Sequence, residues 1–535
     1  MNQYKRHMIV FVVFALFGVC CLADAQSFSG NEVARGYVFN DLNRDGVMDS
    51  GEEGIANVCV SNGEMVVATD TEGYYEIPVE NDTIVFVIKP RDWMTPVNRD
   101  NLPQFYYIHK PEGSPEQKYP GVEPTGPLPD QINFPLYKSP ESDQFSVIFF
   151  ADPQPHTMQE VDYVARDVVE ELVGTDAIFG VTLGDIVGDK LDLFEPLNAV
   201  IGQVGIPWYN VIGNHDLNFD PPDNNNTTET FQRVYGPAEY AFQHGRVHFI
   251  TFNSTYWLGD KYIGKITTRQ LNFIKNYLEH VPKEDLIVLM MHIPLVHDDD
   301  QVPGHALENP EDLYPLLADF PHTFSISGHW HNQANYFIDK EQGWLQDKPH
   351  HHLVQVTVGG SWWSGHMDEF GVPHATMDDG RPNGYNIISF DGNQYSVRFK
   401  GARKPAEFQM NIYAPAEFSG EHPGDVDVIV NVFSGSSKSV VKMRIKDSSE
   451  WIPMERFIDK DLNYERLLTL NDTIPEHLGK NIPNFYDHSE WKSLYSLWQA
   501  KLPGGLDKGT YTIEVEATDM FNQIDRGYRV IRITD

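Results

Sequence analysis

The chain of 535 residues is longer than one ordinary hydrophobic core, so its length predicts about two to four domains. Hydrophobic residues make up 41% and aromatic residues 12% of the sequence, which is typical of a folded protein and argues against a disordered one. The formal net charge of −37 argues against nucleic-acid binding, which needs a basic surface, and against a polybasic membrane patch. An anionic substrate would need bound cations to offset this charge.

The first residues have the pattern of an export signal. Two basic residues precede an apolar run at 8–22, and the small residues Ala23–Ala25 form an A-x-A cleavage site. A transmembrane anchor is the alternative, but about 15 apolar residues are too few to span a bilayer. We therefore expect residues 1–25 to be a signal peptide, and the mature protein to be periplasmic or secreted with no membrane span. A lipoprotein signal at Cys20 or Cys21 is the less favoured alternative.

Cleavage at that site leaves Cys59 as the one cysteine of the mature chain, so no intrachain disulfide is expected. This residue lies in the apolar stretch NVCVSNG, which predicts an inert, buried thiol. An oxidising compartment permits disulfides without requiring them.

The pattern of apolar residues changes along the chain and predicts three domains. Residues 31–137 contain short β-rich runs bounded by Gly, Asp and Pro, which predicts an N-terminal β-sandwich-like domain. Within it, the stretch 109–130 is rich in Pro and Gly and is predicted to be a loop or linker. Residues 144–401 alternate between strand and helix patterns, and residues 407–535 return to alternating apolar and polar residues, which predicts a C-terminal β-rich domain.

The middle segment has the pattern of an α/β domain. In chain order we predict strands at 145–151, 177–183, 286–292 and 323–327, with helices at 158–173 and 268–281. In the first helix, the apolar residues that share one face are Val161, Val164, Val168 and Leu172. Such alternation predicts βαβ units and a largely buried sheet.

Polar residues follow the predicted strands of this middle segment. They are Asp152 and Gln154, Asp185, Asn214 and His215, His292, and the pair His329 and His331. Ligands of α/β sheets bind at the carboxyl ends of the strands, so these side chains are expected to converge at one edge. A mixed set of oxygen and nitrogen ligands suits divalent transition metals such as Mn, Fe or Zn. Two ions about 3.5–4 Å apart that share one carboxylate would match this number of ligands.

Taken in order, the motifs D-x-Q, G-D, G-N-H-D, a lone His and G-H-x-H resemble those of the calcineurin-like metallophosphoesterase family, over about residues 145–401. The resemblance implies a two-sheet core, and the flanking β domains resemble a three-part arrangement of exported bacterial members. It implies hydrolysis of phosphate esters by a hydroxide that bridges two metals. The implied metal ligands are Asp152 and His331 on the first metal, Asn214, His292 and His329 on the second, and Asp185 between them. The implied catalytic residues are His215, which resembles the family's catalytic histidine beside the leaving group, and Asp216, which follows it.

Two positions depart from the common family pattern. Gln154 stands where relatives commonly have His; its carbonyl oxygen can ligate a hard metal or hold a water, but it binds soft ions less well than imidazole does. Gly188 stands where many relatives have Asp and where purple acid phosphatases would need Tyr, which counts against that branch. A subset of the family carries the same D-P-Q, so we interpret Gln154 as a variant ligand.

A segment after these motifs has residues suited to holding the part of a substrate that does not react. Trp362, Trp363 and Tyr385 offer aromatic faces for sugars or bases, and Arg381 offers a guanidinium for a second phosphate or a carboxylate. The alternative is that the Trp residues belong to the core and that the neighbouring acids line a solvated loop. The expected substrate is a phosphorylated small molecule, glycan or protein.

The stretch DLNRDGVMDSGE in the first domain has the spacing of a calcium loop. Its oxygen-bearing residues are Asp41, Asn43, Asp45, Asp49 and Glu52, but strand patterns flank it where an EF-hand would have helices. It is similar to the loops of calcium-stabilised surface β-sandwich modules, and a calcium ion here would be structural. The alternative is an acidic turn that binds nothing.

The sequence therefore predicts an exported, metal-dependent phosphoesterase. The main alternative is a non-catalytic surface or glycan-binding protein on a decayed phosphoesterase scaffold, and a structural adhesion role is less favoured. Decay would rarely spare Asp185, Asn214, His215 and both histidines of GHWH, so the enzymatic interpretation is preferred.

Overall fold

The computed structural model describes residues 32–298, 302–419, 423–471 and 495–534. The predicted signal peptide, residues 1–25, lies outside the described residues. Within those described ranges, no helix has the length and apolar character needed to cross a membrane.

The N-terminal residues form two four-stranded sheets, ordered β4-β1-β8-β6 and β3-β2-β5-β7. The strands are β1 (Glu32–Asn40), β2 (Cys59–Ser61), β3 (Val66–Ala68), β4 (Tyr74–Val79), β5 (Thr83–Val87), β6 (Trp93–Met94), β7 (Tyr106–His109) and β8 (Phe134–Lys138). Apolar residues of both sheets, including Val38, Ile77 and Val85, are buried in one core. This confirms the predicted β-sandwich-like domain.

The middle of the chain forms two stacked sheets, one of five strands ordered β11-β10-β9-β20-β21 and one of six ordered β12-β13-β16-β17-β19-β18, with a separate hairpin of β14 and β15. The strands are β9 (Gln144–Phe150), β10 (Phe179–Leu183), β11 (Trp208–Val211), β12 (Tyr240–His244), β13 (Val247–Thr251), β14 (Thr255–Trp257), β15 (Tyr262–Gly264), β16 (Leu286–Met290), β17 (Thr323–Ser327), β18 (Ala334–Ile338), β19 (His350–Val354), β20 (Gly384–Asp391) and β21 (Gln394–Gly401). Strands β9 to β11 are parallel, and so are β13, β16, β17 and β19. Apolar side chains of the two sheets share one core, which confirms the predicted two-sheet α/β fold.

Helices cover the outer faces of these sheets. They are α1 (Met158–Val164), continued by a π-helical turn (Ala165–Val169) and α2 (Glu170–Leu172), then α3 (Phe194–Ile201), α4 (Glu229–Tyr235) and α5 (Thr268–Leu278). The four residues predicted to share a face of the first helical segment are all buried against β9 and β11, because that face packs on the five-stranded sheet. Helix α5 begins after Thr267, whose side chain accepts a hydrogen bond from the backbone N–H of Gln270.

The last part of the chain forms two more sheets, ordered β22-β24-β28-β27 and β23-β30-β29-β25-β26. The elements are β22 (Met410–Tyr413), β23 (Glu417–Ser419), β24 (Asp427–Val432), β25 (Val440–Ile445), β26 (Ile452–Pro453), β27 (Glu455–Asp459), helix α6 (Leu462–Asn471), β28 (Tyr495–Lys501), β29 (Gly509–Thr518) and β30 (Ile524–Thr534). The alternating residues Val428, Val430, Ile513 and Val515 are buried between the sheets, as their spacing predicts.

The Pro-rich stretch predicted as a loop or linker packs on the middle domain. Lys110 forms a buried ion pair with Glu229 of α4 at 2.9 Å, and both side chains are 4% exposed. The Arg233 side chain of α4 donates a hydrogen bond to the carbonyl of Pro120 at 3.0 Å. The hydroxyl of Tyr119 donates to the backbone carbonyl of Asp189 at 3.1 Å, so this loop reaches the edge of the candidate site.

Candidate functional site

The predicted ligands lie at the carboxyl ends of parallel strands from both sheets. Asp152 follows β9, Asp185 follows β10, Asn214 follows β11, His292 follows β16, and His329 follows β17. The backbone has positive φ at Asp152 (46°), Gln154 (43°), Asp185 (46°), His329 (81°) and His331 (46°). Left-handed conformations of non-glycine residues cost free energy and cluster at functional sites. Strained backbone therefore holds five of the predicted ligands at one edge of the domain.

The first cluster is centred on Nε2 of His292. This atom lies 3.1 Å from Oδ2 of Asp185, 3.0 Å from Oδ1 of Asn214 and 3.2 Å from Nδ1 of His329. Nδ1 of His292 donates to the carbonyl of Leu183 at 2.9 Å, which leaves Nε2 to face the cluster. Within the described ranges, Asp185, His292 and His329 are the one group of three His, Cys, Asp or Glu residues whose ligand atoms lie within 4.8 Å of one another.

The charges in this cluster favour a cation. Although burial opposes it, the Asp185 carboxylate raises the pKa of His292 to about 9. Burial would raise the pKa of Asp185, but the His292 and His215 rings outweigh burial and hold that pKa below its usual range. Burial together with the neighbouring His292 holds the pKa of His329 well below its usual range, so this ring offers a lone pair. The lone pairs that converge here can bind either a proton or a divalent ion, so the two compete for the same position.

Asp152 and His331 lie beside the first cluster, and the backbone N–H of the nearby Gln154 donates to the carbonyl of Asp185 at 3.1 Å. Nε2 of His331 lies 3.7 Å from Oδ1 of Asp152, and its Nδ1 donates to the carbonyl of Gly360 at 2.5 Å. Burial raises the pKa of Asp152 to about 8. The side-chain oxygen of Gln154 is buried and has no hydrogen-bond partner among the described residues. A buried acceptor without a donor is costly, and a metal ion or a water held by one would satisfy it. The donor set fits the divalent ions that the sequence predicts.

Glycines allow the chain segments of the site to approach one another. A Cβ on Gly213 would lie 2.1 Å from the backbone nitrogen and 2.2 Å from Oδ1 of Asp185. Gly184 has a φ of +86°, and a Cβ there would lie 2.6 Å from Nδ1 of His292. The glycines of the G-D and G-N-H-D motifs are therefore required by contact with the predicted ligands.

His215 lies at the rim of the first cluster. Its side chain is 33% exposed, its Nδ1 is 2.7 Å from Oδ1 of Asp189, and its Nε2 is 4.0 Å from Oδ2 of Asp185. Burial lowers its pKa, but the two carboxylates outweigh burial and raise the pKa of His215 to about 9. The two carboxylates therefore favour the protonated form of the ring. Asp189 was not among the predicted site residues, although the second Asp of the GDIVGD stretch was a signal for it.

Asp216, predicted as a catalytic partner of His215, occupies a different position. Its buried carboxylate accepts hydrogen bonds from the backbone N–H groups of Gly213 at 2.8 Å and of Ile186 and Val187 at 3.1 Å each. The carboxylate that contacts the His215 ring at 2.7 Å belongs to Asp189. Asp216 thus connects the loop after β10 to the loop after β11 through hydrogen bonds, so its role here is structural.

The predicted substrate residues require a correction. Trp363 (0% exposed), Tyr385 (2%) and Arg381 (3%) lie in the interior, where a substrate cannot contact them. Nε1 of Trp363 donates to the carbonyl of Pro153 at 2.8 Å. Tyr385 packs beside Phe150, with ring centroids 5.7 Å apart. Arg381 pairs with Asp379 and bonds to the C-terminal domain.

Trp362 contacts a predicted metal ligand directly. Its ring stacks on the His331 ring with centroids 4.2 Å apart and planes tilted by 24°. It is half-buried, with a φ of +53°. This contact orients a predicted ligand. The alternative interpretation, that the Trp residues belong to the core, fits Trp363 but does not fit the half-buried Trp362.

The calcium-type loop is closed on itself. The Asp41 and Glu52 carboxylates accept hydrogen bonds from backbone N–H groups of the loop, at 2.6 to 2.9 Å. The Asn43 side-chain amide donates to Asp45 at 2.9 Å and to Asp49 at 3.1 Å. The loop thus gathers the five predicted oxygen donors, and calcium binding stays a prediction.

Comparison with known proteins agrees with this fold. Three family models match: the N terminal of calcineurin-like phosphoesterase at residues 42–120, calcineurin-like phosphoesterase at 145–333, and the C terminal of calcineurin-like phosphoesterase at 352–524. The family match and the two stacked mixed sheets identify a metallophosphoesterase fold. The chain belongs to the calcineurin-like phosphoesterase family and has its N-terminal and C-terminal domains.

Other comparisons are more distant. A purple acid phosphatase from yellow lupin (Lupinus luteus) seeds is 12% identical over 69% of this chain and 66% of that chain, slightly under two thirds of its length, with a TM-score of 0.36. The spore cortex lytic enzyme SleM of Clostridium perfringens is 13% identical over 74% of this chain and 100% of that chain, with a TM-score of 0.17. Such low TM-scores support no argument about activity. A search of curated protein sequences gave no match.

Proposed function

We propose that this protein is a dinuclear-metal phosphoesterase that hydrolyses phosphate esters, with His215 as the acid beside the leaving group. The observation that carries the proposal is the convergence of Asp185, Asn214 and His329 on Nε2 of His292, at 3.0 to 3.2 Å. Such a convergence of buried lone pairs is stable when a cation binds between them.

Two groups of side chains would hold the ions. One group is Asp152, Gln154 and His331, the other is Asn214, His292 and His329, and Asp185 lies between them. Mixed oxygen and nitrogen ligands suit Mn, Fe or Zn. When bound, such ions lower the pKa of water, anchor phosphoryl oxygens and neutralise the charge that develops during in-line attack.

The protein's own side chains supply the proton for the alcohol that leaves. Asp189 accepts the Nδ1 proton of His215, so Nε2 carries the second proton and is free to face the ester oxygen. Hydrolysis breaks the phosphorus–oxygen bond of the ester, water supplies the new oxygen on phosphorus, and the proton on Nε2 passes to the alcohol oxygen. The attacking water releases one proton, which replaces the proton that His215 gave to the alcohol. The backbone N–H of His215 donates to Oδ1 of Asp185 at 2.9 Å, which fixes the ring relative to the ligand cluster.

We also propose that the enzyme works outside the cytoplasm, on a phosphorylated small molecule, glycan or protein. The export pattern of residues 1–25 supports this location. The net charge of −37 supports the need for bound cations at a site that takes an anion.

A screen of the purified protein tests the proposal. The protein without residues 1–25 is assayed on a panel of phosphomonoesters and phosphodiesters with added Mn, Zn, Fe or Mg, and bound metal per chain is measured by elemental analysis. We expect two ions per chain and metal-dependent hydrolysis. Two bound ions without hydrolysis of any ester would instead favour the non-catalytic surface protein, and no bound metal would reject both the centre and the mechanism.

A further inference from the structure

A cavity of about 640 Å³ opens beside His215. Its walls come from the end of the G-N-H-D loop and from the hairpin of β14 and β15. The lining residues that bear on a ligand are His215, Phe219, Trp257, Asp260, Lys261 and Tyr262. A cavity of this volume is within the range of small-molecule sites. Because His215 faces the ester oxygen in the proposed reaction, the alcohol part of a substrate would enter this cavity.

Three aromatic side chains form one wall of the cavity. Trp257 and Tyr262 are directly paired across the hairpin. The Phe219 and Trp257 rings have centroids 5.1 Å apart, and Nε1 of Trp257 donates to the carbonyl of Pro221 at 2.8 Å, which fixes the indole. The Tyr262 ring lies 6.0 Å from the His329 ring, so this wall continues to the metal cluster.

The exposure of Phe219 within this wall indicates a ligand. Phe219 is 39% exposed although it contacts another aromatic ring. An exposed aromatic face in a concave site gains free energy when a second ring stacks on it. The hairpin tip adds the carboxylate of Asp260 and the ammonium of Lys261, which suit the polar edge of such a ring.

We propose that this cavity binds the leaving alcohol of the substrate and selects esters whose alcohol carries a planar ring, such as an aryl group or a nucleobase. The proposal rests on the proposed phosphoesterase function and adds the substrate class. It assigns specificity to the rings of Phe219 and Tyr262, and Trp257, which is 8% exposed, holds the Phe219 ring in place. The sequence motifs indicate none of the three.

A pair of matched esters tests the proposal. 2-Phenylethyl phosphate and 2-cyclohexylethyl phosphate have the same linker and similar bulk, and both release a primary alcohol that needs the same protonation. Aromatic pairs contribute about 0.5–1.5 kcal/mol beyond the area they bury, so we expect kcat/KM for the phenyl ester to be about 2- to 12-fold higher. Equal values for the two esters would overturn the proposal.

Substitution of Phe219 tests whether its ring provides this selectivity. Phe219→Leu keeps an apolar side chain and removes the ring, so the ratio of kcat/KM for the phenyl and cyclohexyl esters should fall towards one. Since the side chain is 39% exposed, the variant is expected to fold. Tyr528→Ala, which removes an aromatic residue 57% exposed on β30, is the matched control and should keep the wild-type ratio. An unchanged ratio in Phe219→Leu would reject the assignment.

Binding without turnover separates this proposal from the proposed function. The corresponding phenyl and cyclohexyl phosphonates cannot be hydrolysed, and calorimetry on the metal-loaded protein gives their affinities. Tighter binding of the phenyl compound, lost in Phe219→Leu, would support the cavity assignment. Equal binding of the two phosphonates, with both esters hydrolysed, would overturn the ring selectivity and leave the phosphoesterase function standing. Neither binding nor hydrolysis would reject both.

Discussion

The carboxylate of Asp379 accepts a hydrogen bond from the backbone N–H of Gln333 at 3.1 Å, two residues beyond His331. Asp379 also pairs with the buried guanidinium of Arg381. Nε of Arg381 donates in turn to the carbonyl of Phe433 in the C-terminal domain at 2.7 Å. The C-terminal domain therefore supports the loop that carries a predicted metal ligand, through one buried chain of hydrogen bonds.

Asp379→Ala should destabilise the protein and weaken the metal site. The substitution leaves Arg381 buried without its partner, which costs about 3–5 kcal/mol, and frees the backbone after His331. Urea unfolding and metal content after dialysis measure the two effects. Adding Arg381→Met should recover stability without recovering metal retention, and Asp391→Ala, an exposed acid at the end of β20, is the control. Metal retention equal to wild type in Asp379→Ala would contradict the supporting role.

Asp185→Asn should abolish hydrolysis and lower the metal content. A carboxylate between two ions offsets charge on both, and a neutral amide of the same shape cannot. Elemental analysis and turnover on the best ester of the screen measure the outcome. Asp176→Asn, at an exposed turn before β10, should keep both properties. Near wild-type turnover with two ions bound in Asp185→Asn would reject the assigned centre.

His215→Ala should lower turnover while the metals stay bound, because the ring lies at the rim of the ligand cluster. Loss of a general acid costs about 10²- to 10⁴-fold on esters of poor leaving groups. The loss should shrink for nitrophenyl phosphate, whose leaving group needs little protonation. Asp189→Asn should give a smaller loss with the same dependence on the leaving group, since it removes the carboxylate 2.7 Å from Nδ1. An equal loss on activated and unactivated esters would contradict the acid role.

The fold and the convergence of the predicted ligands could be anticipated because both depend on local sequence. Apolar runs that end in Gly and a polar residue predict strands whose carboxyl ends carry ligands, and Asp152, Asp185 and His292 lie there. The period of the apolar residues in 158–173 also predicts the buried helix face. No pattern in the sequence predicts the π-helical turn within this segment.

The substrate residues were not predictable because their environment comes from distant parts of the chain. In the sequence Arg381 resembles a substrate-binding arginine. In the structure its side chain is buried and donates to the carbonyl of Phe433, which lies 52 residues further along the chain. In the sequence the Pro-rich stretch resembles a linker. In the structure it packs on the middle domain, where Lys110 pairs with Glu229, 119 residues away. The Phe219 and Trp257 wall likewise depends on a hairpin whose position relative to the G-N-H-D loop no local pattern specifies.

Acid should destabilise the protein through three consecutive histidines of β19. Burial lowers the pKa of His350 and His351 to about 3 each and holds that of His352 well below its usual range. His350 has Thr323 and Ser325 as hydrogen-bond partners at 2.8 and 2.7 Å. Folded pKa values below the unfolded value of about 6.5 mean that the unfolded chain binds more protons as pH falls. The contribution of these neutral histidines to the free energy of unfolding is therefore fully present above about pH 6.5, and it is lost as pH falls towards 3.

One substitution isolates this effect. Each neutral histidine contributes at most about 1.4 kcal/mol per pH unit to the slope of unfolding free energy against pH. His350→Gln removes one such group and should reduce the slope between pH 6 and 4.5 by about that amount. Urea unfolding at several pH values measures both slopes, so a lower overall stability of the variant does not obscure the comparison. Identical slopes would show that His350 does not stay neutral in the folded protein.

The last prediction concerns Gln154, whose buried side-chain oxygen has no partner among the described residues. If this oxygen binds the ion shared with Asp152 and His331, that ion should be the more weakly held, because a neutral amide oxygen donates less than imidazole. A chelator should then remove the ions stepwise, and activity should fall with the first. Gln154→His should tighten that site and favour Zn more. Elemental analysis of wild type and variant under limiting chelator distinguishes direct ligation from a hydrogen bond to a bound water, and equal metal retention in both proteins would reject direct ligation.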